Sequence, residues 1–354
     1  MTEKVRLASV GLGRWARVLA NGAQRGDTIE LVSCFSRDED KRRAFMDEYG
    51  ISRSAASYEE LLADPEVEGV LITTPNDTHR DLIVQALEAG KAAYTDKPIA
   101  HTMEHGVAIV EAAEAASVPF AVGHSARRLA GSREMKRWID DGRIGDVSIA
   151  EANFSNERGL ELTANHWRSF PDKTPGGVMI QLGVHHADNL QYLLGPVKTV
   201  TSHARILYSE AHVPTVVLSL LEFESGALGY LGAGWASPGV YTINLQGTKA
   251  NLRYDLDFTH WEQGDVADDY SELRSQAHGE SERPVVPFQK TDMFREQLEE
   301  FALSIRGEAT VEVGPRDALR ALAVVWAAIA SSERGGQPVE LAEVIEAAGA
   351  GAAV

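Results

Sequence analysis

One cysteine, Cys34, in 354 residues excludes an intramolecular disulfide, and its apolar setting in Leu31-Val32-Ser33-Cys34-Phe35 reads as core. Positive charge is scarce as well. With 34 Lys and Arg against 52 Asp and Glu, the formal net charge is −18, which repels polyanions, so no nucleic acid is expected as a partner. No apolar run approaches the roughly 20 residues of a bilayer span, so no membrane is expected either. Residues 1–4 lead into a strand pattern instead of a secretory signal, and with the lone cysteine this makes a cytoplasmic location the expectation. Internal repeats and long linkers are also missing. His101 and His105 are spaced for one helix face but have no third candidate ligand, so no metal is expected.

What is present is an ordinary globular composition, 44% hydrophobic and 24% charged, in a chain long enough for two domains. Up to about Phe120, short apolar runs (Val5–Val10, Leu31–Phe35, Gly69–Thr73, Ala92–Thr95, Phe120–Val122) alternate with helix-like segments such as Thr78–Ala89. That rhythm predicts βαβ units around a parallel sheet. After Gly123 it changes. A helix near Glu134–Asp141 precedes strand-like stretches at Asp146–Asn153, Val197–Ile206, Thr215–Phe223, Gly226–Gly232, Thr242–Gln246 and Ala250–Asp255. Helical periodicity returns at Asp292–Ile305 and Pro315–Ser332. The expectation is an α/β domain over residues 1–123 and an α+β domain over 124–354 with a large mixed, mostly antiparallel sheet.

The first chemical signal is Gly11-Leu12-Gly13-Arg14-Trp15-Ala16, a G-x-G-x-x-A between the first strand and the first helix. The first glycine permits a tight turn, the second admits a pyrophosphate to the backbone and the small third residue lets helix and strand pack closely. A plain tight turn would need less, but in this context the loop reads as a Rossmann dinucleotide site at a helix N-terminus, with Gly11, Gly13, Arg14 and Trp15 at the cofactor. At the end of the second strand stand Ser36-Arg37-Asp38. A hydroxyl followed by a guanidinium favours the 2′-phosphate of NADP(H), whereas Asp38 could serve the 2′-hydroxyl of NAD(H), and a solvated polar turn would account for the same residues.

Further along, Thr73-Thr74-Pro75-Asn76-Asp77-Thr78-His79, Asp96-Lys97-Pro98, Gly142-Arg143-Ile144-Gly145 and the run from Gly176-Gly177 through Gln181 and His185 to Asp188 occur in that order. Together they resemble the Gfo/Idh/MocA family of glucose-fructose oxidoreductase, inositol dehydrogenase and rhizopine-catabolism proteins, over essentially the whole chain. The resemblance implies that Thr74, Pro75, Asn76 and His79 line the cofactor, although Asn76, Asp77 or Thr78 could equally cap the next helix. It implies that Asp96 and Lys97, in a motif where Glu is usual at the first position, also line the cofactor, and that Lys97 helps protonate or orient the substrate oxygen beside the nicotinamide. It makes His185 the general acid/base, a task that suits an imidazole near neutral pH. Gln181 occupies the family's acidic position and cannot ionise, so it can orient a hydroxyl but not stabilise an imidazolium. Arg127 corresponds to an arginine near the active-site crevice, with interdomain ion pairing as its plainer reading. Trp167 and Arg168 could form a substrate wall or anchor a loop.

The resemblance implies an NAD(P)-dependent dehydrogenase or reductase acting on a CH–OH group of a sugar, cyclitol or related polyol and, by analogy with relatives, assembled as a homodimer or homotetramer. Three other activities occur on the same scaffold: dihydrodiol dehydrogenase, NAD-dependent glycosidase and non-catalytic dinucleotide sensing. Retained Lys97 and His185 argue against the last, while Gln181 in the acidic position keeps it open.

Overall fold

The structure, a computed structural model, describes residues 3–349. The chain divides into two compact units. One holds the residues up to Ala100, His105–His124 and Asp292–Ala318; the other holds His101–Glu104, Ser125–Thr291 and the chain from Leu319 onward.

The first unit is built on five parallel strands, β1 (Val5–Val10), β2 (Ile29–Phe35), β3 (Gly69–Ile72), β4 (Ala92–Asp96) and β5 (Phe120–Gly123), in the order β2-β1-β3-β4-β5. Every residue of β3 and β5 is buried, which is why these strands read as unbroken apolar runs and not as alternating ones. The strand order reverses between β1 and β3. In an open parallel sheet a ligand crevice forms at that reversal, outside the carboxyl ends of the strands.

Helix Met293–Ile305 belongs to this unit because it packs on the helix Arg14–Gln24. Contact is close enough that a Cβ on Gly22 would come within 3.1 Å of Phe294 Cβ, and the Trp15 and Phe294 rings meet edge-to-face at 5.5 Å. The Arg25 guanidinium pairs with both carboxylate oxygens of Asp292, at 2.6 and 3.1 Å, while Asp292 Oδ1 also caps the helix by accepting from Arg295 N at 3.1 Å. Residues 292–318 therefore group with the N-terminal half of the chain, apart from the stretch that precedes them in sequence.

The second unit carries β6 (Val147–Ser155), β7 (Val197–Arg205), β8 (Val216–Phe223), β9 (Leu228–Gly234), β10 (Val240–Gly247), β11 (Ala250–Leu256), β12 (Ser271–Ala277) and β13 (Val339–Glu340). They form one sheet in the order β12-β11-β10-β6-β9-β8-β7-β13, antiparallel except for the parallel pair β6 and β9. Alternation is strict in β8, where Val217, Ser219, Leu221 and Phe223 are buried, so the sheet covers its core on one face only. On that core lies helix Val184–Leu194, entered through a π-helical turn, Met179–Gly183. Two edge strands go beyond the sequence expectation. β12 has a single buried residue, Leu273, and β13 is two residues long, so neither carries a readable pattern.

Candidate active site

In the first unit the site begins at the crevice between β1 and β3. Gly11 has φ +82°, and a Cβ there would lie 2.7 Å from Thr74 Cγ2 and 3.0 Å from Thr74 N, so both backbone and space demand glycine. Gly13 is needed for a different reason. It N-caps the helix without a side-chain bond, and a Cβ on it would meet nothing within 4 Å. The backbone at the start of this helix is thus open, and no acidic residue stands in the first turn to repel an anion. Ala16 is 1% exposed in a cluster with Leu12, Ala20, Cys34, Phe45 and Ile51, which explains the small third residue of the motif. Burial pushes the Cys34 thiol up to about 11, so it is core. These features fit a dinucleotide pyrophosphate.

At the end of β2, Asp38 is committed to the helix Glu39–Tyr49: its Oδ1 accepts from Lys41 N at 3.1 Å, and that bond holds the carboxyl below its usual range. Ser36 Oγ accepts from Asp38 N at 3.3 Å, and the Arg42 guanidinium donates to Ser36 O at 2.5 Å. Arg37 is exposed beside them. Ser36 is therefore followed in the chain by Arg37 and held at its carbonyl by Arg42, with the Asp38 carboxylate turned into a cap.

The loop after β3 is tied to the glycine turn by Thr73 Oγ1, which donates to Gly11 O at 2.6 Å. Pro75 leads a short 3-10 turn, Asn76–Thr78, in which Asn76 is 7% exposed and its Nδ2 has no hydrogen-bond partner among the described residues. His79 sits deeper. It is 1% exposed, with Nδ1 3.0 Å from Pro98 O and Nε2 3.0 Å from Thr74 O, and burial holds its pKa down. The ring braces the loop after β3 against the loop after β4. That second loop carries Asp96, the last residue of β4, then half-buried Lys97, joined to Pro98 by a cis peptide bond. Burial pushes the Asp96 carboxyl up to about 6 against the opposing pull of the Lys97 ammonium.

In the second unit His185 lies in the first turn of the helix Val184–Leu194, 4% exposed, its ring 5.2 Å from Trp261 and 5.4 Å from Phe154. Gln181, on the π-helical turn, accepts from Arg168 Nε at 3.4 Å, and the Arg168 guanidinium lies 4.2 Å from the centre of the Trp167 ring. Trp167, Arg168 and Gln181 are thus brought together, two of them on one loop. Ahead of the π-helical turn, Gly177 has φ +55°, and a Cβ on it would lie 2.1 Å from Pro214 O, so both backbone and space demand glycine there. Arg127 is placed otherwise. It forms a buried two-pronged ion pair with Asp188, both bonds 2.7 Å, and so braces the helix that carries His185. His186 is fully buried against Tyr241, and burial pulls its pKa down to about 4. The aromatic surround of His185 has no signal in the sequence. Trp261 lies in the irregular stretch after β11, where no spacing links it to the histidine.

Among the described residues no three His, Cys, Asp or Glu side chains gather as metal ligands, and no helix is long and apolar enough to cross a membrane.

Residues 5–124 match the family model described as oxidoreductase family, NAD-binding Rossmann fold (GFO/IDH/MocA), and residues 132–253 match the GFO/IDH/MocA C-terminal domain. The chain is 31% identical to a 1,5-anhydro-D-fructose reductase of Ensifer adhaerens, over 91% of this chain and 96% of that protein. It is 30% identical to an NAD(+)-dependent scyllo-inositol 2-dehydrogenase of Bacillus subtilis, over 96% and 97% of the two chains. A crystal structure from Desulfitobacterium hafniense, provisionally assigned as an NADPH-dependent oxidoreductase, superposes with a TM-score of 0.95 at 45% identity, covering 98% of this chain and all of that one.

Proposed function

Because this chain belongs to the GFO/IDH/MocA family of NAD(P)-binding oxidoreductases, we propose that it transfers hydride between NADP(H) and a CH–OH or carbonyl carbon of a sugar, cyclitol or related polyol, with Lys97 and His185 as catalytic residues. The observation that carries the reading is Lys97 directly after β4, on the sheet edge where Gly11 and Gly13 open the dinucleotide crevice.

A nicotinamide bound in that crevice supplies the two-electron hydride acceptor or donor. The remaining work falls to side chains. In the oxidative direction His185 takes the hydroxyl proton while the Lys97 ammonium holds the oxygen as negative charge develops, and the carbinol carbon becomes a carbonyl as its hydride departs. Trp261 and Phe154 pack against the His185 ring and hold its orientation. Gln181, held by Arg168, orients a neighbouring hydroxyl, and the Trp167–Arg168 pair offers a flat face and a hydrogen-bond donor to a polyol ring. Ser36, Arg37 and Arg42, with Asp38 withdrawn into its cap, support NADP(H) over NAD(H), and the D. hafniense relative described as NADPH-dependent supports the same choice. Exposed leucines on the open face of the eight-stranded sheet support a homodimer or homotetramer.

A fluorescence titration with NADPH and NADH, followed by a polyol and aldose screen on the better ligand, tests the reading. Tighter binding of NADPH and one equivalent of reduced cofactor per substrate oxidised are expected. Lys97→Ala should lower turnover at least a thousandfold with cofactor affinity within about threefold. Unchanged turnover in that variant, or glycoside cleavage with no net change in NADPH, would overturn the assignment.

A further inference from the structure

Tyr208 is the one non-glycine residue with positive φ among the described residues, at +56°, and it is 79% exposed. A bulky side chain seldom holds that backbone conformation, and strain of this kind concentrates at ligand clamps. Large aromatics also tend to bury their rings. Here the ring borders a pocket of about 340 Å³ in the second unit, a volume at the lower end of the range for small-molecule sites.

Two walls make the pocket, and one buried residue ties both. The wall bearing Leu160, Glu161 and Leu162 ends at Thr163, whose carbonyl accepts from Ser169 Oγ at 2.8 Å. The wall bearing Tyr208, Ser209 and Glu210 is reached through His212, whose N–H donates to Ser169 O at 3.1 Å. Its base is pinned at Thr215, whose Oγ1 accepts from Leu207 N at 2.8 Å and lies 2.9 Å from Leu207 O. Ser169 is 0% exposed and directly follows Arg168, the residue that reaches Gln181. The pocket is therefore preformed and fastened to the loop that carries Trp167 and Arg168.

Its chemistry is that of carbohydrate recognition. A phenol ring with two leucines offers an apolar surface to the C–H face of a pyranose, while Glu161 and Glu210 accept from hydroxyls and Thr163 and Ser209 can donate or accept. Two carboxylates disfavour a phosphorylated or otherwise anionic sugar. We propose that this pocket is an outer subsite for a second, neutral sugar unit, so that the substrate is a disaccharide or other glycoside rather than a free monosaccharide. The proposal rests on the sugar or polyol reading of the main site.

The test measures binding of maltose, cellobiose, lactose and glucose to the NADPH-loaded protein by saturation-transfer NMR and calorimetry, in wild type, Tyr208→Ala and Tyr208→Gly. The glycine variant keeps the backbone angle while removing the ring. At least one disaccharide should bind about tenfold more tightly than glucose, and both variants should erase that advantage with NADPH and glucose affinity within twofold. Loss of disaccharide binding in the variants without turnover of any sugar would uphold the subsite and sink the redox reading. The subsite falls if no disaccharide outcompetes glucose, if the variants weaken both sugars equally, or if they change only the oligomeric mass, which would make Tyr208 a contact between copies.

Discussion

Asp96 and His186 are both driven toward their neutral forms by burial, and they respond to pH in opposite senses. Asp96, raised from 3.8 to about 6, binds its proton more tightly folded than unfolded, so its contribution to stability is full below about pH 4 and declines as pH rises to 6. His186, lowered from 6.5 to about 4, excludes its proton in the folded state, so stability falls as pH drops from 6.5 toward 4. Between pH 4 and 6 the two trends offset each other. Asp96→Asn removes only the first. Urea unfolding should show the variant matching wild type near pH 4 and exceeding it above pH 6.5 by on the order of 3 kcal/mol. Parallel curves for the two proteins across this range would remove Asp96 as the source. Sequence alone could not supply this, because Asp96 and His186 take their pKa from surroundings that no spacing reveals. At the same scale Ser36-Arg37-Asp38 left two cofactors open, and no spacing reveals that the Asp38 carboxylate caps the helix Glu39–Tyr49.

Some elements were legible: β3 follows from its unbroken apolar run, and β1 and the start of the helix Arg14–Gln24 from the glycine turn between them. β12, β13 and the π-helical turn were not, since a polar edge strand and one extra residue per turn leave no pattern. The loop contact through His79 lies in between. The motif singled out the residue, and the structure gives it two main-chain carbonyls, those of Thr74 and Pro98. This joins the loops that carry Asn76 and Lys97. His79→Ala would leave a buried carbonyl without its N–H donor, a loss of about 1–3 kcal/mol. Thermal unfolding should show a Tm several degrees lower, and fluorescence titration an NADPH Kd raised about tenfold while both loops lose their brace. Unchanged Tm and Kd together would show that the ring does not hold these loops.

For the whole chain, the helical period of residues 292–305 announced a packed helix but not its partner, because an apolar stripe records that a face is buried and not against what. Phe294 and Asp292 settle it, through Trp15 and Arg25. The eight-stranded sheet raises the same question on a larger surface. One row of paired residues crosses its open face: Leu220 on β8, Tyr230 on β9, Glu151 on β6, Asn244 on β10, Arg253 on β11 and Arg274 on β12. The row grades from apolar to charged. Leu218, Leu220 and Leu228 are 51%, 62% and 58% exposed, and Ile149 beside Leu228 is 41% exposed. At the other end Arg253 pairs with Asp255 and Arg274 with Glu272 along a groove of about 610 Å³. An exposed apolar patch bordered on one side by charge is a surface that a second copy of the chain could cover about a two-fold axis. Leu220→Lys puts a charge into that patch at a site whose substitution alters the stability of a single chain by no more than about 0.5 kcal/mol. Light scattering should find wild type at a multiple of 38.4 kDa and the variant shifted toward that single-chain mass with its fold retained. A monomeric wild type, or an assembly that the lysine leaves intact, would remove this face from the interface.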